Sequence, residues 1–132
     1  MGLVVAAAVA LVYAGFLGWD QARDVDPGTG ATTGPYGTAQ VLACGVAFLL
    51  VVALGGARAP VASAVTGPLS FTVLWSVDAA AYPDGDGLWP VGAVLVFGGT
   101  TAGAVLAVLL AEALARRAGP RPVALQDARP SP

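Results

Sequence analysis

Apolar residues gather into four long blocks along the chain, and the charges fall almost entirely in the segments between them. The first block, Gly2 to Trp19 (GLVVAAAVALVYAGFLGW), carries no charge, and neither does the second, Thr38 to Gly56 (TAQVLACGVAFLLVVALGG). The third, Pro60 to Ala81, holds one aspartate near its end; the fourth, Leu88 to Ala115, holds one glutamate near its end. A hydrocarbon core of about 30 Å takes roughly 20 helical residues, so each block is long enough to cross it, the first two only just. The fourth exceeds the need and is expected to tilt or project. Peptide groups facing lipid must be paired within their own segment, so unbroken helix is the backbone each block predicts. The expected fold class is therefore all-α: a polytopic membrane protein with four transmembrane helices in an up-down bundle.

The connecting segments agree with this division. Asp20 to Gly37 is rich in Gly, Thr and Pro and predicts a loop with several turns. GGARAP, Gly55 to Pro60, is short enough to make the second and third helices antiparallel neighbours. Residues 1–115 then form the transmembrane domain. Residues 116–132 form a basic, proline-rich tail with no means of burying itself, expected to be disordered. The first block lacks the basic start of a secretory signal and exceeds its usual apolar length, so it reads as a span and not as a cleaved leader.

Composition strengthens the membrane reading. With 57% hydrophobic and 11% charged residues and a mean hydropathy of +0.78, the chain lacks the polar surface that a soluble domain of its 132 residues needs. The net charge of -2 conceals an asymmetry. Asp20, Asp24, Asp26, Asp78, Asp84 and Asp86 oppose Arg23 alone on one side, whereas Arg58, Arg116, Arg117, Arg121 and Arg129 outweigh Glu112 and Asp127 on the other. Basic residues are retained in the cytoplasm, so both termini and the GARAP turn are expected inside a plasma membrane that the chain crosses several times. Trp19, Tyr36, Trp75, Tyr82 and Trp89 all fall at the opposite boundary, where amphipathic rings favour the headgroup layer. All six basic residues are arginine, which reads as high-GC coding bias. No basic stripe points to nucleic acid.

Chemistry-bearing residues are few. Histidine is absent, and with it the commonest metal ligand and general base. The single cysteine, Cys44, sits in an apolar run, where it has no disulfide partner and little thiolate character. No serine-histidine-aspartate set, paired cysteines, zinc motif or phosphate-cradling loop is present, and no cofactor is implied; the chain reads as non-enzymatic. Ionisable or helix-breaking residues inside spans are where function is usually sought. Here these are Asp78, placed near the outer headgroup level, and Pro68, expected to kink the third helix and free a carbonyl. Asp84 and Asp86 complete a candidate cation pathway from outside. The pairs DVDPGTG and DGDG offer carboxylates at a spacing of two, as calcium loops do, but lack the distal glutamate and helix pattern of an EF-hand.

Small residues supply the remaining signal. Ala10, Ala14 and Gly18 continue a four-residue stripe that starts at Gly2, and Gly99, Gly103 and Ala107 form another; such stripes let helix backbones approach closely in lipid. They predict either a contact between the first and fourth helices or a joint between two copies. A Trp, then an Asp, then an Asp-Pro-Gly turn after the first span and a Pro-Asp-Gly turn after the third give the halves a faint likeness, the trace a parallel repeat would leave.

The combination of RDVDP, GPY and WSVDAA leading into GLWPVGA resembles small four-span integral membrane proteins of high-GC actinobacteria, a family with no assigned activity. The resemblance covers most of the chain and implies location and four spans. Small multidrug resistance transporters carry a buried glutamate in their first span, which this chain lacks. Fluoride channels carry an early arginine that is missing here, and SFTVLWS resembles their third-span break only in composition. The expected function is that of a structural or accessory membrane subunit, its partners the lipid bilayer and either further copies of itself or other membrane proteins. The alternative is a small oligomeric cation transporter or channel.

Overall fold

A computed structural model describes residues 1–20, 25–30, 34–81 and 87–118. They form four helices: α1 (Gly2–Phe16), α2 (Thr38–Gly56), α3 (Pro60–Ala80) and α4 (Trp89–Arg117). Three of them, α2, α3 and α4, are long and apolar enough to cross a membrane, and α1 is a shorter apolar helix. At 1.5 Å per residue their lengths are about 28, 31 and 43 Å, against about 22 Å for α1.

The span expected over Gly2–Trp19 is thus shorter as a helix, and the reason is local. After Phe16 the amides of Leu17 and Gly18 both turn back to the carbonyl of Tyr13, at 2.7 and 3.0 Å, which closes the last turn. The Trp19 indole N–H donates to the Gly15 carbonyl at 3.0 Å, satisfying one of the acceptors that a helix end leaves open. Two glycines in the final five residues of this run lower its helix propensity further. The other three helices agree with their expected bounds to within two residues.

Proline starts α3 and stands second in α4, where its missing N–H costs nothing. At the start of α2 the Gly37 amide donates to Gln40 Oε1 at 3.2 Å, the backward half of a capping box. The Gln40 amide group in turn donates to the Phe16 carbonyl, tying the start of α2 to the end of α1. Between α2 and α3 the amides of Arg58 and Ala59 both return to Gly55, at 3.1 and 3.0 Å, and the turn is as tight as GGARAP implied.

Packing centres on α2 and α3, which touch each other and each touch both outer helices, while α1 and α4 do not meet. The main core joins Val5 and Val9 of α1, Phe48 and Val52 of α2, and Ala104 and Val108 of α4. A second cluster, at the end where α1 finishes, joins Tyr13, Leu17 and Cys44, with Phe71, Leu74 and Trp75 of α3 packed on it. Phe71 links the two, meeting Tyr13 and Phe48 edge to face, each at 5.4 Å.

Glycines set the closest approaches. A Cβ on Gly55 would stand 2.7 Å from Ser63 Oγ and 2.8 Å from a Val5 methyl; on Gly56, 2.8 Å from a Val108 methyl; on Gly67, 2.8 Å from a Val52 methyl. On Gly92 it would run into the Trp75 ring. The large apolar side chains point outward instead: Leu3 is 88% exposed, Leu11 75% and Leu95 71%. A surface of this kind is expected where the solvent is hydrocarbon.

Candidate functional site

Of the two acidic side chains inside the apolar blocks, Asp78 of α3 and Glu112 of α4, the first is held by a side chain 65 positions away. Tyr13, buried at 4% exposure, donates its hydroxyl to Asp78 Oδ2 at 2.5 Å, joining the end of α1 to the end of α3. That separation lies at the short end for a hydroxyl on a carboxyl oxygen. Tyr36, from the segment before α2, lies in hydrogen-bonding reach of Tyr13 and packs on the same cluster. With Gln40 on the Phe16 carbonyl, one end of the helices carries a small polar lid over an aromatic layer of Phe71, Trp75 and the Tyr13 ring. Such a lid can orient one carboxyl group, bridge two helices and offer oxygen atoms to a cation arriving from the loops.

Pro68 stands apart from it. Its ring is fully buried, α3 continues through it, and Gly67 beside it lies against Val52 and Phe48. Ten residues separate Pro68 from Asp78, about 15 Å along the helix, so they do not form one site. The interior also holds three hydroxyls, of Ser63, Thr72 and Thr101, with no hydrogen-bond partner among the described residues. Thr100, by contrast, bonds the Val96 carbonyl of its own helix at 2.7 Å, the usual arrangement for a hydroxyl in a span.

Asp84 and Asp86 lie outside the described residues, as does Asp24. Asp26 is described and is engaged in a turn: its Oδ1 accepts the Gly28 amide at 2.7 Å. That amide, with the Thr29 hydroxyl, holds the carboxyl below the usual aspartate value. Among the described residues no three acidic, cysteine or histidine side chains gather to hold a metal ion.

The small-residue stripes lie on separate surfaces. Ala14 and Gly18 are exposed and Ala10 is half-buried, on a helix that does not touch α4, so the two stripes do not meet within one chain. Gly99 is open, with nothing near a Cβ placed there, whereas Gly103 lies against Leu49 of α2. Gly103, Ala107 and Ala111, with Ala53 of α2, are half-buried between exposed Val46, Leu49, Leu50, Leu106, Leu110 and Leu114. Together these ten residues line an apolar groove of about 430 Å³ between α2 and α4.

Two functional candidates escaped the sequence. Tyr13 and Tyr36 gain their role only from helix rotation, although a tyrosine inside an uncharged block, one turn and a half before its boundary tryptophan, was a usable sign. The α2 wall of the groove left no sign at all, since Val46 and Leu50 are ordinary span residues. No protein-family model matches the chain, and neither a curated protein nor a solved structure is similar to it.

Proposed function

We propose that this chain is a small integral membrane protein, a four-helix up-down bundle with both termini in the cytoplasm. We propose further that it acts without catalysis, as a structural or accessory subunit that packs with itself or with other proteins of the plasma membrane. One observation carries the reading: Asp78, the acid of the third apolar block, is engaged by a buried tyrosine of another helix. A carboxyl group spent on joining α1 to α3 serves the bundle, and no second acidic or basic side chain lies in the described helices between it and Glu112 near the opposite end of α4. Contacts of Gln40 with Phe16, of Gly55 with Val5 and of Gly92 with Trp75 support the alternating helix directions.

The second reading, a small oligomeric cation transporter, draws on the hydroxyls of Ser63 and Thr72 on the Pro68 helix and of Thr101 on α4, which have no partner among the described residues. Capture of the tagged protein from native membranes in mild detergent separates the two. A foreign membrane protein at fixed stoichiometry supports the accessory role. A homo-oligomer that carries cations into liposomes, and loses that flux with Asp78→Asn, overturns it in favour of transport.

A further inference from the structure

We propose that the groove between α2 and α4 seats an anionic phospholipid of the inner leaflet, with an acyl chain along Gly103, Ala107 and Ala111 and the phosphate on Arg117. This rests on the reading of the chain as membrane-embedded with the end of α4 at the cytoplasmic face.

Shape is the first argument. The half-buried small residues make a floor and the exposed leucines make rims, Leu106 at 67% and Leu110 at 61% exposure. An acyl chain fills such a channel by dispersion contacts alone and needs no polar partner. Depth is the second. From Gly103 to Leu114 the groove runs eleven residues, about 16 Å along α4, which is about half of a 30 Å hydrocarbon core. It therefore has the depth of one leaflet, whereas a helix from a second copy would call for a surface through both.

Charge is the third argument and fixes the kind of lipid. The α4 positions that line the groove recur at 103, 106, 107, 110, 111 and 114. The next position on that face is 117, an arginine about 4.5 Å beyond Leu114, at headgroup depth. Gly56 lies against Val108, so the turn bearing Arg58 stands beside the lower half of the groove. Arg116 is paired with Glu112 at 3.1 Å, but Arg58 and Arg117 have no acidic partner among the described residues. An inner-leaflet lipid with a net negative headgroup meets both the apolar channel and the two open cations. A zwitterionic lipid fills the channel and brings a phosphate, but its own cation offsets that charge and repels the two arginines.

The test is native mass spectrometry of the full-length protein in detergent with phosphatidylglycerol or phosphatidylcholine of identical acyl chains. Retention of phosphatidylglycerol is expected to exceed that of phosphatidylcholine, with a loss of about fivefold for Arg117→Gln and a further loss for Arg58→Gln. Arg117→Lys is expected to retain the lipid, and Ala107→Phe, which fills the channel and leaves the charges, to release both lipids. Equal retention of the two lipids, or full retention by Arg117→Gln, overturns the proposal. So does a dimer in which cysteines placed at Leu106 cross-link between copies. Alkaline carbonate extraction checks the underlying reading separately: a chain released from membranes defeats both, whereas a chain that stays but ignores headgroup charge defeats only the lipid site.

Discussion

Adding one methyl group at Gly56 is expected to loosen the bundle, although the same change at Gly99 is expected to tighten it. Gly99 lies inside α4, where alanine is favoured by about 0.8–1.0 kcal/mol, and Gly56 is the last residue of α2, where that figure is an upper bound. At Gly99 nothing approaches a new Cβ, so that preference appears as a gain. At Gly56 the new Cβ stands 2.8 Å from one Val108 methyl and 3.5 Å from two further Val108 carbons. Valine in a helix has essentially one rotamer, so Val108 has no easy retreat and the backbones must part by several tenths of an ångström. Overpacking of this kind costs about 1–3 kcal/mol, which leaves Gly56→Ala destabilised by about 1 kcal/mol after the propensity gain. The two variants should thus differ by about 2 kcal/mol, roughly 30-fold in the folding equilibrium. Reversible unfolding in mixed micelles, followed by tryptophan fluorescence, reads that difference. Val108→Ala in the Gly56→Ala background should recover part of the loss, a coupling of about 0.5–3 kcal/mol in a double-mutant cycle. A Gly56→Ala protein as stable as Gly99→Ala, with no coupling to Val108, would falsify the close approach of α2 and α4.

Other outcomes follow from the same contacts. Tyr13→Phe removes the hydroxyl from Asp78 and should cost about 1–2 kcal/mol in the micelle assay; an unchanged midpoint would show that the α1–α3 link is idle. Phe48→Ala empties the centre of the core and the edge-to-face contact with Phe71, for a loss of about 3 kcal/mol, against less than 0.5 kcal/mol for exposed Leu42→Ala. The Asp26 carboxyl is held below its ordinary value by the Gly28 amide and Thr29. Its turn is therefore fully supported above about pH 3.9 and is lost as the pH falls through the lower folded value. Carbon-13 NMR of the carboxyl should show a midpoint under that of a short peptide, and a midpoint at or above it sinks the assignment. Cys44, buried in the second cluster, should resist a water-soluble maleimide until the protein is denatured; rapid native labelling would mean that this end of the bundle opens.

Much of this architecture was legible because lipid leaves few choices. A charge-free run of twenty residues has one backbone solution, and the bounds of α2, α3 and α4 follow from where charge and proline resume. The end of α1 was less legible, because Trp19 reads as apolar while its indole acts as a cap on Gly15. Asp78 could be placed near a helix exit by counting from Trp75, but its partner could not be found by counting. Whether Tyr13 faces α3 depends on the rotation of two helices, which a nearly uniform apolar surface does not encode. The same loss of information affected the glycines. Spacing drew attention to Gly99, which touches nothing, and passed over Gly55, Gly56, Gly67 and Gly92, where side chains of other helices come closest. In a chain with 18 glycines, regular spacing arises without contact, and only the neighbouring helix decides which one matters.

The separation of α1 from α4 bears on the order in which the protein can be made. Most of what α1 rests on, from Phe48 and Val52 to Phe71, lies on α2 and α3 and leaves the ribosome before α4 does. At about 5–20 residues per second, the first three helices emerge ahead of the last and can settle against one another first. The fourth then arrives at a prepared surface, with Gly92 passing under Trp75 and Val108 closing on Gly56. Translation itself thus imposes a sequence of assembly, in which α4 is the helix that can be added late, exchanged or supplied as a separate chain.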